Sequence, residues 1–196
     1  MLVANIGVGP WDVLHQGLAE VTGISIGIIM VLVGLLILGA SVLFLQVKPG
    51  MGTVLNMVLV GVWVDVWIAS GLIPVGQQLL DGTIIYVIAL LVTSAGTGLY
   101  LSAGLGAGPR DGFTLGLARV TGMQVRTART LLELSALISG WLMGGQIGLG
   151  TVLFAFTSGP LMQLSIWMCK PLERLHERRA QRFIPAGVAA GRESRL

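Results

Sequence analysis

The stretch Gly7–Gly23, GVGPWDVLHQGLAEVTG, returns 99 residues later as Gly106–Gly122, GAGPRDGFTLGLARVTG. Gly7, Gly9, Pro10, Asp12, Gly17, Leu18, Ala19, Val21, Thr22 and Gly23 all recur, ten identities in seventeen positions. An internal repeat of this quality constrains the architecture before any single element does. A second pair reinforces it: Gly50-Met51-Gly52-Thr53-Val54-Leu55 recurs as Gly148-Leu149-Gly150-Thr151-Val152-Leu153, with Gly61 matching Gly159.

The repeat sits in a chain of 196 residues with 54% apolar and 11% charged side chains and a mean hydropathy of +0.87. That balance excludes a water-soluble globule and predicts a membrane protein. The 29 glycines agree, because helices in lipid use Gly to bring backbones close together. Five stretches are long enough, at roughly 20 residues each, to cross the hydrocarbon core. They are Ile24–Gln46, Gly52–Leu72, Thr83–Ala103, Val125–Gly145 and Gly150–Cys169. The N-terminus lacks the basic start and unbroken apolar run of a signal peptide. A single Cys169 rules out an internal disulfide. Zinc-ligand spacing, a Walker-type loop and a Gly-x-Ser-x-Gly elbow are all missing from the sequence, so neither enzyme activity nor a cofactor is expected.

Charge then orients the spans. Seven Lys or Arg follow position 169, which places the C-terminus in the cytoplasm. Counting back, the Gln146–Leu149 turn is outside without a basic residue, and the Gly104–Arg129 region is inside with four arginines. The Ile73–Gly82 loop is outside, the Val47–Met51 turn is inside with Lys48, and residues 1–23 are extracytoplasmic. The two motif copies therefore face opposite sides, and substitutions between them follow the inversion: Trp11 becomes Arg110, Glu20 becomes Arg119, and Lys48 becomes Gln146.

The expectation is an all-α transmembrane bundle of two three-helix inverted-topology repeats, as in many secondary transporters. It divides into a first repeat at 1–72, an extracytoplasmic linker at 73–82, a second repeat at 83–169 and a basic cytoplasmic tail at 170–196. The first repeat lacks its opening helix, since residues 1–6 match only the end of the helix before the second motif. A chain truncated at its N-terminus, with a natural sixth span, is the corresponding expectation.

In Gly-x-Gly-Pro-x-Asp the glycines allow close approach, Pro10 and Pro109 suit the first helical position, and Asp12 and Asp111 face the positive end of a helix. Each motif is too short and polar to span, so it starts a partial helix, serving as a packing cap or as part of a solute path. Asp65, placed near the middle of Gly52–Leu72, is a candidate binding group or an inter-helix hydrogen-bond partner. Trp63 and Trp67 share the opposite, lipid-facing side of that helix. Glu133 follows Arg126 and Arg129 at helical spacing, giving either an Arg129–Glu133 pair or an anion site beside a titrating acid that could share a cavity with Asp65. His15, three residues after Asp12, reads as a solvent-side polar contact, with proton relay as the alternative. The small-residue pairs Gly98/Ser102 and Gly140/Gly144 read as close helix packing, within the chain or in a homo-oligomer. Arg174, Arg178 and Arg182 fall on one helical face and suit anionic inner-leaflet lipid. Nucleic acid is a poor partner for so small a patch.

The doubled Gly-x-Gly-Pro-x-Asp motif and the Gly-x-Gly-Thr-Val-Leu turn resemble the bacterial YczE/YyaS/YitT family of integral membrane proteins, most closely its YczE-like branch. The likeness extends to about Cys169 and implies a multi-pass plasma membrane protein with no catalytic residues to transfer. The expected function is a small transporter for an unknown solute or ion, with a non-transporting scaffold or regulatory partner as the rival.

Overall fold

The computed structural model describes residues 1–47, 49–72, 75–76, 78–102, 106 and 108–182. Lys48, positions 73, 74 and 77 of the linker, and the tail beyond Arg182 lie outside the described residues. Among the described residues the chain is all helical, with a 3₁₀ turn at Leu2–Ala4 and seven α-helices. These are α1 (Pro10–Thr22), α2 (Ile26–Leu45), α3 (Met51–Ser70), α4 (Leu79–Ser102), α5 (Pro109–Thr121), α6 (Val125–Leu142) and α7 (Leu149–Arg182).

The repeated motif makes the same object twice. Gly9 and Gly108 are extended N-caps, Pro10 and Pro109 open thirteen-residue helices, and Asp12 and Asp111 sit in the first turns. Both helices stop at a left-handed glycine, Gly23 at φ 70° and Gly122 at φ 72°, a conformation open to Gly at little cost. Thr22 and Thr121 donate their hydroxyls to Leu18 and Leu117, four residues back in each copy.

Contacts between the halves also repeat. Gly7, at φ +98°, lies against Gly148 and Thr151, while Gly106, at φ +113°, lies against Gly50 and Thr53. The Gly50 and Gly148 amides donate to Thr53 Oγ1 and Thr151 Oγ1, both at 3.2 Å. Each motif helix packs on the helix that follows the other motif: α1 on α6, where Gly17 meets Gly140, and α5 on α2, where Gly116 meets Leu45. Arg119 of α5 donates to the Leu45 carbonyl at the end of α2, a favourable place for a cation.

Among the described residues three helices are long and apolar enough to cross a membrane, at Ile26–Leu45, Met51–Ser70 and Leu79–Tyr100. Their outer surfaces carry the large side chains, with Leu36, Leu43 and Phe44 more than 70% exposed. The buried apolar set is instead rich in small residues such as Ala4, Ala118, Ala128 and Ala136. That distribution suits lipid, where burying Leu gains little and close backbone packing gains more. Gly27 touches Gly61 across α2 and α3, and Gly98 touches Ser165 across α4 and α7. The packing expected at Gly98 and Gly140 is thus within the chain.

Two boundaries differ from the sequence reading. Helix α4 begins at Leu79 instead of Thr83, taking the last four residues of the expected linker, with Asp81 in its first turn where an acid is favoured. Helix α7 runs unbroken through Cys169 to Arg182. Its 34 residues make about 51 Å of helix at 1.5 Å each, well beyond a hydrocarbon core of roughly 30 Å. The start of the basic tail therefore continues this helix.

Candidate functional site

The first turns of α1 and α5 meet at a central cavity of about 670 Å³. Gly9, Pro10, Trp11 and Asp12 enter its wall from one motif, and Gly108, Pro109, Arg110 and Asp111 from the other. Helix α4 adds a hydroxyl-bearing face of Thr93, Ser94, Thr97 and Tyr100, and α6 adds Arg129, Leu132 and Glu133. Asn56 and Val60 of α3 and Phe154 and Ser158 of α7 complete it. A cavity of this size accommodates a metabolite-sized molecule.

The ionisable groups are mutually arranged. Arg129 Nε donates to Glu133 Oε1 at 2.9 Å, the i,i+4 pair anticipated from the sequence. Both remain partly open to the cavity, with side chains 38% and 25% exposed. The Arg110 guanidinium lies 5.6 Å from the centre of the Trp11 ring, within cation–π range. These two residues occupy equivalent positions in the two motifs. Tyr100 Oη accepts from the Gly108 amide, tying α4 to the second motif, and Tyr86 Oη donates to the Gly150 carbonyl at 2.6 Å.

Asp12 Oδ1 lies 3.7 Å from His15 Nδ1, an ion-pair distance too long for a hydrogen bond. Burial, the largest influence, pushes the Asp12 carboxyl up, but His15 and the Arg110 charge outweigh it and hold the group below its ordinary range. His15 is only 5% exposed. The solvent-side contact expected of it is thereby corrected: α1 packs on α6 through Val13, Leu14 and Gly17, and its His15 side turns inward to α2, α3 and the start of α5.

Asp65 does something different from the rest. It lies five residues from the end of α3, beside the start of the antiparallel α2, and accepts from Ser25 Oγ at 2.6 Å and the Gly27 amide at 2.8 Å. It caps α2, supplying acceptors to donors that the helix itself leaves unpaired. Asp65 and Arg126 are not part of the cavity wall, whereas Glu133, Arg129, Asp12 and Asp111 are. Trp63 and Trp67 face outward, 6.4 Å apart, as their spacing predicts. The structural motif glycines divide: Gly9 and Gly108 line the cavity, while Gly7, Gly50, Gly106, Gly148 and Gly150 hold the motif loops against the two turns. Gly52 is the second residue of α3, in its first turn.

Reasoning from sequence missed Trp11, Arg110, Asn56 and the α4 hydroxyl face as site residues. The signal for the last was present as Thr93, Thr97 and Tyr100 at helical spacing.

These features define a helical membrane protein with a cavity, mostly apolar but holding ionisable and hydroxyl groups, lined by both copies of the motif. Comparison with known proteins places it more closely. Residues 1–166 match a family of unknown function, DUF6198. The chain is 36% identical over 161 residues to the uncharacterized membrane protein YczE of Bacillus subtilis (strain 168), covering 82% of this chain and 74% of that one. An uncharacterized protein of Haemophilus influenzae is 34% identical over 167 residues, covering 83% and 73%. The uncharacterized protein YyaS of B. subtilis is 26% identical over 163 residues, covering 82% and 81%. The chain belongs to this family of membrane proteins, which includes YczE and YyaS. No solved structure matches it.

Proposed function

We propose that the protein is a small permease of the bacterial plasma membrane, working by alternating access between two inverted-topology repeats. In this reading the repeats are residues 1–72 and 83–169, α6 and the first part of α7 also span, and the C-terminus is cytoplasmic. The observation that carries the reading is the cavity into which both copies of the motif project. Inverted-repeat transporters place their solute between the halves, at the N-termini of interrupted helices, and α1 and α5 each begin at the cavity. The exchanged packing of α1 on α6 and of α5 on α2 sets each motif helix against the other repeat, so a shift of one repeat moves the motif of the other at the cavity. Paired ionisable groups and a hydroxyl face suit a small polar solute.

The test is solute flux in proteoliposomes containing the full chain, screened with classes of small polar metabolite under proton and sodium gradients. The expected result is uptake of one class, weakened by Asp111→Asn and Glu133→Gln. The reading fails if no class moves under any gradient, or if the protein purifies with a stoichiometric partner and acts only through it.

A further inference from the structure

Beside the large cavity lies a smaller one of about 70 Å³, and His15 reaches its wall together with Asn56 and Arg110. The volume is enough for a few water molecules. Asn56, Val60, Pro109 and Arg110 line both spaces, so only side chains separate them. Asp12 faces the large cavity and His15 the small one, with 3.7 Å between carboxylate oxygen and imidazole nitrogen.

His15 Nδ1 is buried and has no hydrogen-bond partner among the described residues. A buried polar nitrogen in this state costs free energy unless a water in the small cavity, a cation or a proton meets it. A metal ion fits poorly, because Arg110 contributes positive charge to the same wall and, among the described residues, no three His, Cys, Asp or Glu side chains come together. A proton needs only the one lone pair. Bound there, it makes an imidazolium facing the Asp12 carboxylate, and a small rotation of either side chain closes 3.7 Å to a charge-assisted hydrogen bond. The equivalent of His15 in the second half is Thr114, which cannot titrate. Any such site belongs to one half alone.

We propose that Asp12 and His15 form a buried proton-binding site, filled from the large cavity past Asp12, with the proton held on His15 Nδ1. Asp12 stays ionised throughout, and no bond other than N–H forms. The other groups facing the pair are few. Arg110 of α5 opposes protonation, while Asp111 of α5, Tyr100 of α4 and the Arg129–Glu133 pair of α6 line the same large cavity as Asp12. The Tyr86 hydroxyl of α4 and the Met1 amino group lie within electrostatic reach of Asp12. The small cavity's walls from α2 and α3 carry only uncharged residues. Use of the site to couple transport to a proton gradient rests on the permease reading, whereas the site itself does not.

The chain has two histidines, His15 and His176, so a His176→Gln variant labelled with ¹⁵N-histidine reports on His15 alone. Imidazole nitrogen spectra of this full-length variant in lipid nanodiscs, recorded from acid to mildly alkaline pH without solute, should show His15 Nδ1 taking up a proton. Asp12→Asn should move that midpoint to lower pH by about one to three units. A His15 that stays neutral across the range, or a midpoint that ignores Asp12→Asn, overturns the proposal. A second measurement guards against misfolding of that variant. On a pH drop across the same midpoint, His15→Gln should take up about one proton per chain fewer than the unsubstituted protein, and equal uptake by the two overturns the site. A protein that titrates as expected yet moves no solute removes the permease reading and leaves the proton site. A protein that transports with His15 neutral does the reverse.

Discussion

Replacing Asp65 separates two roles a carboxylate in a membrane helix can have. Asp65 accepts from Ser25 Oγ and from the Gly27 amide at the start of α2. Hydrogen bonds to a charged acceptor contribute about 1.5–3 kcal/mol each when buried, and lost N-caps cost about 0.5–2 kcal/mol. Ser25 is exposed and Asp65 half-buried, so the sum is discounted to about 2 kcal/mol for Asp65→Ala. For a chain of this length that is a fall of about 4–8 °C in Tm. Asp65→Asn keeps one acceptor, for the Gly27 amide, but sets an NH2 against the Ser25 hydroxyl, which must turn to accept, and it also loses the interaction of charge with the helix end, a total of about 1 kcal/mol. Thermal unfolding of both variants in the same detergent is the assay, with flux measured alongside once a solute is known. The expected order is unsubstituted protein, then Asp65→Asn, then Asp65→Ala. If Asp65→Ala is as stable as the unsubstituted protein, the capping argument is wrong. If Asp65→Asn keeps its stability and loses all activity, the charge has a duty that capping does not explain.

Gly7→Ala and Gly106→Ala each force a Cβ onto a left-handed backbone and into a threonine hydroxyl at 2.9 and 3.0 Å. Each should lose at least about 1–2 kcal/mol, and denaturation midpoints for the two should fall together if the halves are equivalent. Gly17→Leu should separate α1 from Gly140 of α6, seen as loss of a monodisperse peak in size-exclusion chromatography. The half-buried Arg129–Glu133 pair should show a coupling of about 0.2–1 kcal/mol in a double-mutant cycle with Arg129→Leu and Glu133→Gln. Asp12 releases its proton more readily in the folded protein than in the unfolded chain, so its stabilisation is complete above about pH 4 and disappears as the pH falls below that value. Asp12→Asn should accordingly flatten the acid limb of a stability–pH curve.

The repeat and its helices were legible because identity between distant stretches survives without knowledge of packing. Pro10 and Gly23, with their equivalents Pro109 and Gly122, mark the ends of α1 and α5 directly. The Arg129–Glu133 pair was legible for a related reason: an i,i+4 contact lies within one helix. Asp65 was legible as an inter-helix hydrogen-bond partner, but its part as the cap of α2 was not, because that depends on where α2 begins beside it, which a single span does not encode. His15 was misplaced because α1 carries polar groups on more than one side, and the side bearing His15 is covered by α2, α3 and the start of α5. The hydroxyl face of α4 escaped notice for a chemical reason. Thr97 returns its hydroxyl to the Thr93 carbonyl, so such residues satisfy themselves in lipid and do not mark a cavity until six helices are assembled around it.

Trp11 and Arg110 hold equivalent places in the two halves, and they touch. In a pair of identical subunits a position on the twofold axis can only meet itself, so a tryptophan would face a tryptophan and an arginine would face an arginine of like charge. Joining the halves in one chain frees that position from its own reflection. The contact between a cation and an aromatic ring is closed to a homodimer and open only where the two halves have diverged, as they have within this chain.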